Sequence, residues 1–288
     1  MKQCEFKQVV VIGCGKIAVT AIKYVASLKE KFDFELCFIQ HEMQELTAVK
    51  KYCDEETIPF FSLPQKEDVT SKLLKYEENT LIISAGNYYL FPKALLSKTN
   101  ITAINFHNAL LPKYPGRNAP SWAIFYGEKE SGATWHRITE CVDEGEILWQ
   151  GVCEITDDMK AYELTAKIME LAQQGLEECL EEFLTNGIQG KKQELIENRR
   201  MFFAKDVPGN GIISVNDEPQ YIYGVLRSMD YGKMGPFDPV IMKLENGEEV
   251  EVLRYKKKAL QNENVAENSC VIPLDNENGL FIKFKTKE

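Results

Sequence analysis

Short apolar runs alternate with amphipathic stretches through the first 106 residues, and this rhythm limits the possible folds more than any other feature of the chain. VVVIG (9–13), FELCFI (34–39), IPFFS (58–62), NTLIISAG (79–86) and ITAINF (101–106) read as strands. Residues 16–28 and 43–53 carry a helical pattern between the first of them. Strands joined through helices run parallel, with right-handed crossovers. The expectation is therefore an α/β fold built on a doubly wound, mostly parallel sheet. Ligands of such sheets bind beyond the carboxyl ends of the strands.

After Asn118 the pattern changes. GATWHRIT (132–139) and EILWQGVCEI (146–155) read as strands around the loop ECVDEG, and residues 157–186 form one long amphipathic helix that Gly187 stops. Asp157 and Asp158 suit the start of that helix. A polar stretch follows, punctuated by Pro208-Gly209-Asn210-Gly211. The expected organisation is a catalytic domain over 1–190, a linker over 191–210 and a small C-terminal β-rich module over 211–288. Within that module EPQYIYGVLRSM reads as a helix, and Asn246-Gly247 marks a hairpin turn. SCVIPL and GLFIKFK form a second strand pair.

Composition excludes several classes. No apolar run approaches the roughly 20 residues that span a bilayer, so no membrane segment is expected. The start, MKQCEFKQVVVIG, reads as a strand and not as a secretory signal. Eight cysteines are scattered without CxxC spacing, which argues against a disulfide framework and a metal site. A reducing cytoplasm is the expected compartment. The net charge of −10 disfavours a nucleic-acid partner, and the basic runs Lys191-Lys192, Arg199-Arg200 and Lys256-Lys257-Lys258 read as solvated faces.

Gly13-Cys14-Gly15-Lys16-Ile17-Ala18 follows a strand and opens a helix, as dinucleotide-binding turns do. The acidic residue that would hold a ribose should end the next strand, yet that strand ends Ile39-Gln40-His41, with Glu42 arriving late. The turn is instead read as a tight strand-to-helix connection in which Gly13 helps to bind an acceptor.

Asn105 and His107 end the strand ITAINF on one side of it, facing the crevice. A stiff loop with Pro112, Pro115 and Gly116 follows, and Asp143 lies in the later polar loop. Taken singly, these are a packed histidine, a turn asparagine and a loop acid. Thr134 and His136 share a face of the next strand and read as support for the site.

Together the residues resemble the folate-dependent formyltransferases, whose signature is Asn-x-His, a Leu-Leu-Pro loop reaching a glycine, and a later Asp-x-Gly. Here these read Asn105-Phe106-His107, Leu110-Leu111-Pro112 with Gly116, and Asp143-Glu144-Gly145. The resemblance spans roughly residues 8–185 and includes SAGNYYLFPKALL (84–96). It implies 10-formyltetrahydrofolate as co-substrate, no metal, and formyl transfer to a primary amine. Asn105 and a protonated His107 would donate to the oxyanion, and Asp143 would raise and orient the imidazole. The resemblance places the pterin against Asn87, Tyr88, Tyr89 and Leu90 and against Thr139, Glu140, Cys141 and Val142. Ala109, Leu110, Leu111 and Pro112 would form the neighbouring wall, although Tyr88 and Tyr89 equally suit core filling.

Gly116, Arg117 and Asn118 are similar to the acceptor-side loop of sugar-nucleotide formyltransferases, where an arginine meets a phosphate or carboxylate. The implied acceptor is an amino sugar nucleotide or an aminoacyl conjugate. A tRNA acceptor is disfavoured, because residues 39–53 carry only Lys50 and Lys51 where the tRNA-formylating members have a basic insert. Alternatives are methionyl-tRNA formylation, hydrolysis of the formyl donor, a folate-binding sensor without turnover and, last, nicotinamide chemistry.

Overall fold

β1 (Gln8–Gly13) and β4 (Thr80–Ala85) occupy the middle of a seven-stranded sheet, where Val9–Ile12 and Leu81–Ile83 are fully buried. A strand covered on both faces must be apolar at successive positions, which is why these runs lack the alternation of a half-exposed strand. The chain is described by a computed structural model over residues 3–41, 47–187, 189–194, 196, 199–232, 235–260 and 266–286. The remaining strands are β2 (Glu35–Gln40), β3 (Phe60–Ser62), β5 (Ile101–His107), β6 (Glu130–Arg137) and β7 (Ile147–Glu154). Their order is β3-β2-β1-β4-β5-β6-β7. From β3 to β5 every pairing is parallel, and β6 then lies antiparallel to β5. The sheet is thus mixed and mostly parallel. Its strand order reverses between β1 and β4, where the chain, having run outward to β3, returns to the other side.

Helices α1 (Gly15–Ser27), α2 (Thr47–Glu55), α3 (Lys66–Leu74) and α4 (Lys93–Leu96) connect the first five strands. The expected helix over 43–53 is described only from Thr47; its first part and Glu42 lie outside the described residues. Gly13 closes β1 against β4 so tightly that a Cβ there would lie 1.9 Å from the Ala85 carbonyl oxygen. Close backbone approach by itself requires a glycine here.

Two compact units emerge, neither of them continuous in sequence. The first comprises Met1–Gly116, Gly132–Cys153 and Lys167–Met201; the second comprises Arg117–Ser131, Glu154–Ala166 and Phe202–Glu288. Within the first unit, Lys191 in the expected linker forms an isolated bridge with Ile147. The second unit has a five-stranded sheet ordered β11 (Ser269–Pro273), β12 (Asn278–Thr286), β10 (Glu249–Ala259), β9 (Ile241–Lys243), β8 (Ile212–Ser214). Helix α7 (Pro219–Met229) covers it, burying Ile222, Val225 and Leu226 against Met242, Val250 and Leu280. Each such side chain contributes roughly 1.5–3 kcal/mol. The hairpin turns as expected at Asn246-Gly247, with Gly247 at φ 83 and the Leu244 N–H bonded to the Glu248 carbonyl at 2.9 Å.

Three local differences from the sequence reading have physical causes. Helix α6 (Ala161–Asn186) begins four residues later than its pattern, because Glu163 accepts the Lys160 N–H at 2.9 Å at its start. Asp157 and Asp158 instead pair with Lys129 at 2.9 Å and Lys257 at 2.7 Å. The stretch after Gly116 contains α5 (Ala119–Phe125), an element too short to show periodicity; Asn118 opens it in the left-handed conformation at φ 57. Strand β8 has only three residues, and its pairing with β9 decides its state. Among the described residues no helix is long and apolar enough to cross a membrane.

Candidate active site

The carboxyl ends of β4 and β5 and the antiparallel strand β6 bring Ser84, Asn105, His107, Thr134 and His136 to one edge of the first unit's sheet. Register alone does this: Ser84 lies opposite Asn105, Asn105 opposite His136 and His107 opposite Thr134. The loop between β6 and β7 adds Asp143, held at φ 56 in the left-handed region that a non-glycine residue seldom adopts. Tyr114, in the loop after β5, has φ 53.

Asp143 stands between two imidazoles. Its Oδ2 is 3.5 Å from His107 Nδ1, and its Oδ1 is 3.4 Å from His136 Nε2. The Gly116 N–H donates to Oδ2 at 2.7 Å. On the far side, His107 Nε2 is 2.8 Å from the Tyr114 carbonyl, which can only accept, so Nε2 carries a hydrogen. The Asn105 amide lies between Ser84 Oγ at 2.8 Å and His136 Nε2 at 3.1 Å. The three residues predicted as catalytic are therefore neighbours.

Burial sets the charges here. His107 and Asp143 are only 5% and 8% exposed. Burial pushes the His107 imidazole below its usual range; Asp143 and the Tyr114 carbonyl oppose that shift without reversing it. The sequence reading has Asp143 raising His107, and Asp143 does act in that direction; burial is the larger effect and leaves the net shift downward. For Asp143, burial acts upward, but His107, His136 and the Gly116 N–H outweigh it and hold the carboxyl well below the usual carboxylate range. An ionised carboxylate beside a buried imidazole is suited to managing a proton during attack on a carbonyl.

The loop walls are pinned from behind. Thr134 Oγ1 donates to the Ala109 carbonyl at 2.6 Å and accepts the Leu111 N–H at 3.2 Å. Gln150 Nε2 adds bonds to the Leu111 carbonyl at 2.8 Å and to Thr134 at 3.0 Å. Leu110 packs over Gly132, and the Pro112 carbonyl accepts from Arg199 at 3.2 Å. Arg199 also donates to the Asp143 carbonyl at 2.9 Å and to Glu144 at 2.6 Å. Gln193 Nε2 reaches the Asp143 and Gly145 carbonyls at 3.0 and 2.7 Å.

Lys93, at the start of α4 just beyond the first stretch expected to receive the pterin, pairs with Glu140 of the second at 3.2 Å. Asn87 folds its own loop by accepting the Tyr89 N–H at 3.0 Å, and Thr139 does likewise by donating to the Cys141 carbonyl at 3.0 Å. Tyr88, Leu90 and Val142 are exposed apolar side chains there. The Tyr89 side chain is core filling: it is buried, bonded to Thr70 at 2.7 Å and set against His41 and Phe91. Arg117 and Asn118 belong to the second unit, where the Arg117 N–H bonds to the Phe202 carbonyl at 2.8 Å. Among the described residues no three histidine, cysteine or acidic side chains are grouped as metal ligands.

Ser84, Gln150 and Gln193 escape the sequence reading, and Arg199, read there as part of a solvated face, is instead only 12% exposed, because its guanidinium is bonded to Pro112, Asp143 and Glu144. Ser84 leaves one trace, as a hydroxyl inside the apolar run LIISA. Gln193 leaves none, because it sits in a polar stretch where any residue type fits.

The known proteins to which this chain is similar include several formyltransferases. A methionyl-tRNA formyltransferase of Clostridium perfringens is 31% identical over 195 residues, covering 65% of this chain and 62% of the relative. GDP-perosamine N-formyltransferase of Brucella abortus is 30% identical over 165 residues, 57% of this chain and 61% of that one. The aligned part thus spans a little under two thirds of these relatives. Among solved structures, the N-formyltransferase of Helicobacter canadensis superposes with a TM-score of 0.72 at 16% identity, covering 97% of this chain and 100% of its own. A 4-N formyltransferase of Francisella tularensis gives 0.67 at 19% identity over 91% and 100%. The formyl transferase family model itself matches residues 36–180, half of the 288-residue chain and the part that carries every residue of the histidine–carboxylate cluster. On that match the chain belongs to the formyl transferase family.

Proposed function

We propose that this protein is an N-formyltransferase that moves the formyl group of 10-formyltetrahydrofolate to the primary amine of an amino sugar nucleotide. The observation that carries the reading is the Asp143 carboxylate flanked by His107 and His136 at 3.5 and 3.4 Å, beside the Asn105 amide. The Helicobacter canadensis relative was solved with folinic acid and dTDP-3-aminofucose, which supports both the donor and the acceptor class. Exposed Tyr88, Leu90 and Val142 supply an apolar surface suited to a pterin ring.

The donor supplies an electrophilic carbonyl carbon on a nitrogen leaving group. As the acceptor amine attacks, a carbon–nitrogen bond forms and negative charge gathers on the formyl oxygen. Asn105 donates to that oxygen through Nδ2, a contact typically worth about 2.7–4 kcal/mol in the transition state. The proton released by the amine is held by Asp143 and by His107, whose Nδ1 bears no hydrogen at rest. It is then returned to the departing folate nitrogen as the old carbon–nitrogen bond breaks. Buried His107 gains a charge only during this step, when Asp143 is beside it to balance that charge.

A screen of amines with 10-formyltetrahydrofolate, read by mass spectrometry, tests the proposal. Amino sugar nucleotides, amino acids, carrier-linked amino acids and methionyl-tRNA are the acceptors. A formylated amino sugar that disappears with His107→Ala is expected. Formate alone would identify a hydrolase, and donor binding without consumption a sensor. Methionyl-tRNA is the second reading: the 31% identical relative formylates by name a methionyl-tRNA. The second unit also presents Arg254 directly opposite Lys283 on the β10–β12 pair, with Lys256 two residues along.

A further inference from the structure

Ser84 is 1% exposed and stands in register with Asn105 on the neighbouring parallel strand. Its hydroxyl donates to Asn105 Oδ1 at 2.8 Å, which turns the amide nitrogen away from the serine. Asn105 Nδ2 lies 3.1 Å from His136 Nε2, and that same ring nitrogen is 3.4 Å from Asp143 Oδ1. His136 is itself held from behind, its Nδ1 donating to the Arg137 carbonyl at 2.9 Å. The serine thus fixes the oxygen end of the amide, and the anchored imidazole stands at its nitrogen end.

We propose that Ser84 is a positioning residue: with His136 it clamps the Asn105 amide so that a donor N–H, and not the carbonyl oxygen, is offered to the reacting carbonyl. The role of that N–H rests on the formyl-transfer reading above; the clamp itself does not. Without the hydroxyl, Oδ1 has no donor, and the amide is free to rotate and present its oxygen to developing negative charge. Nothing in the clamp touches substrate except through Asn105, so its loss acts on turnover rather than on donor binding.

The test uses the full chain carrying nitrogen-15 in its asparagines, with Asn105→Asp to assign the side-chain amide signal by its disappearance. In the parent chain and in Ser84→Thr, which keeps the hydroxyl, the two Asn105 amide protons should be well separated and slow to exchange. In Ser84→Ala they should move toward the solvent-exposed amides and exchange about tenfold faster or more, the equivalent of one net hydrogen bond. With 10-formyltetrahydrofolate and the acceptor identified by the amine screen, Ser84→Ala should lower kcat about tenfold and leave the donor KM unchanged, as expected for a contact made in the transition state. Circular dichroism confirms folding. Should the alanine chain not fold, Ser84→Cys, whose thiol donates only weakly, gives the same reading. An Asn105 signal indifferent to Ser84→Ala, or turnover undiminished in that variant, overturns the proposal. A chain that transfers no formyl group but whose Asn105 signal still shifts in Ser84→Ala refutes the activity and upholds the clamp.

Discussion

The Gly116 N–H donates to the Asp143 carboxylate at 2.7 Å, joining two loops 27 residues apart in sequence. One oxygen of Asp143 is thereby committed to backbone while it also faces His107 at 3.5 Å. This contact ties the loop after β5 to the loop after β6 and adds to the effect of His107 and His136 in holding the buried carboxylate ionised.

Asp143→Asn keeps the shape and removes the charge, and His107→Gln keeps a donor toward the Tyr114 carbonyl while removing the site that takes a proton. Each should reduce formyl transfer by about 10²–10³-fold with the donor still bound. Steady-state kinetics beside a donor-binding titration would check this. Parental turnover in either variant would remove these residues from the chemistry.

Stability should fall on acidification in two stages. His107 lies below its ordinary 6.5 in the folded chain, so from that value downward the unfolded chain binds more protons and folding loses stability. Asp143 lies below its ordinary 3.8 and adds a second loss as the pH falls below that value. Both contributions are complete at neutral pH. Denaturant melts from pH 7 to pH 5 should show the first loss in the parent chain and a smaller one in His107→Gln. Equal slopes in both chains would count against a neutral, buried His107.

Gln193 and Arg199 hold the Asp143 loop by its carbonyls, so Gln193→Ala and Arg199→Lys should loosen it without touching a reacting group. Leaving such buried groups unbonded costs about 1–3 kcal/mol. Lysine does not replace arginine here, because its single nitrogen cannot span the Pro112, Asp143 and Glu144 oxygens. Hydrogen exchange over residues 139–146 should quicken while the β1 and β4 amides stay protected. An unchanged pattern would mean that the loop is held by other contacts.

Thr134→Val preserves shape but removes the hydroxyl that bonds Ala109, Leu111 and Gln150. The stranded Leu111 N–H should cost about 1–3 kcal/mol, a loss of roughly 2–4 °C in Tm for each kcal/mol in a domain of this size. Thr134→Ser, which keeps the oxygen, should recover most of it. Differential scanning calorimetry on the three chains decides the matter, and a Thr134→Val chain as stable as the parent would show that the loop does not depend on this bond.

What the sequence determined by itself was whatever is written in local pattern. The unbroken apolar runs at 9–12 and 81–83 could only be strands covered on both faces, and Asn246-Gly247 could only be a tight turn. Asn105 and His107 on one side of a strand, a Leu-Leu-Pro loop and a later Asp143 were enough to mark the edge where these side chains gather. Tertiary structure decided the rest. Parallel register set Ser84 beside Asn105, antiparallel register set His136 beside both Asn105 and Asp143, and Gln193 and Arg199 folded back onto the Asp143 loop. It also set the downward shift of His107, because the cost of burying a charge depends on everything packed around the ring, and no local pattern contains that sum.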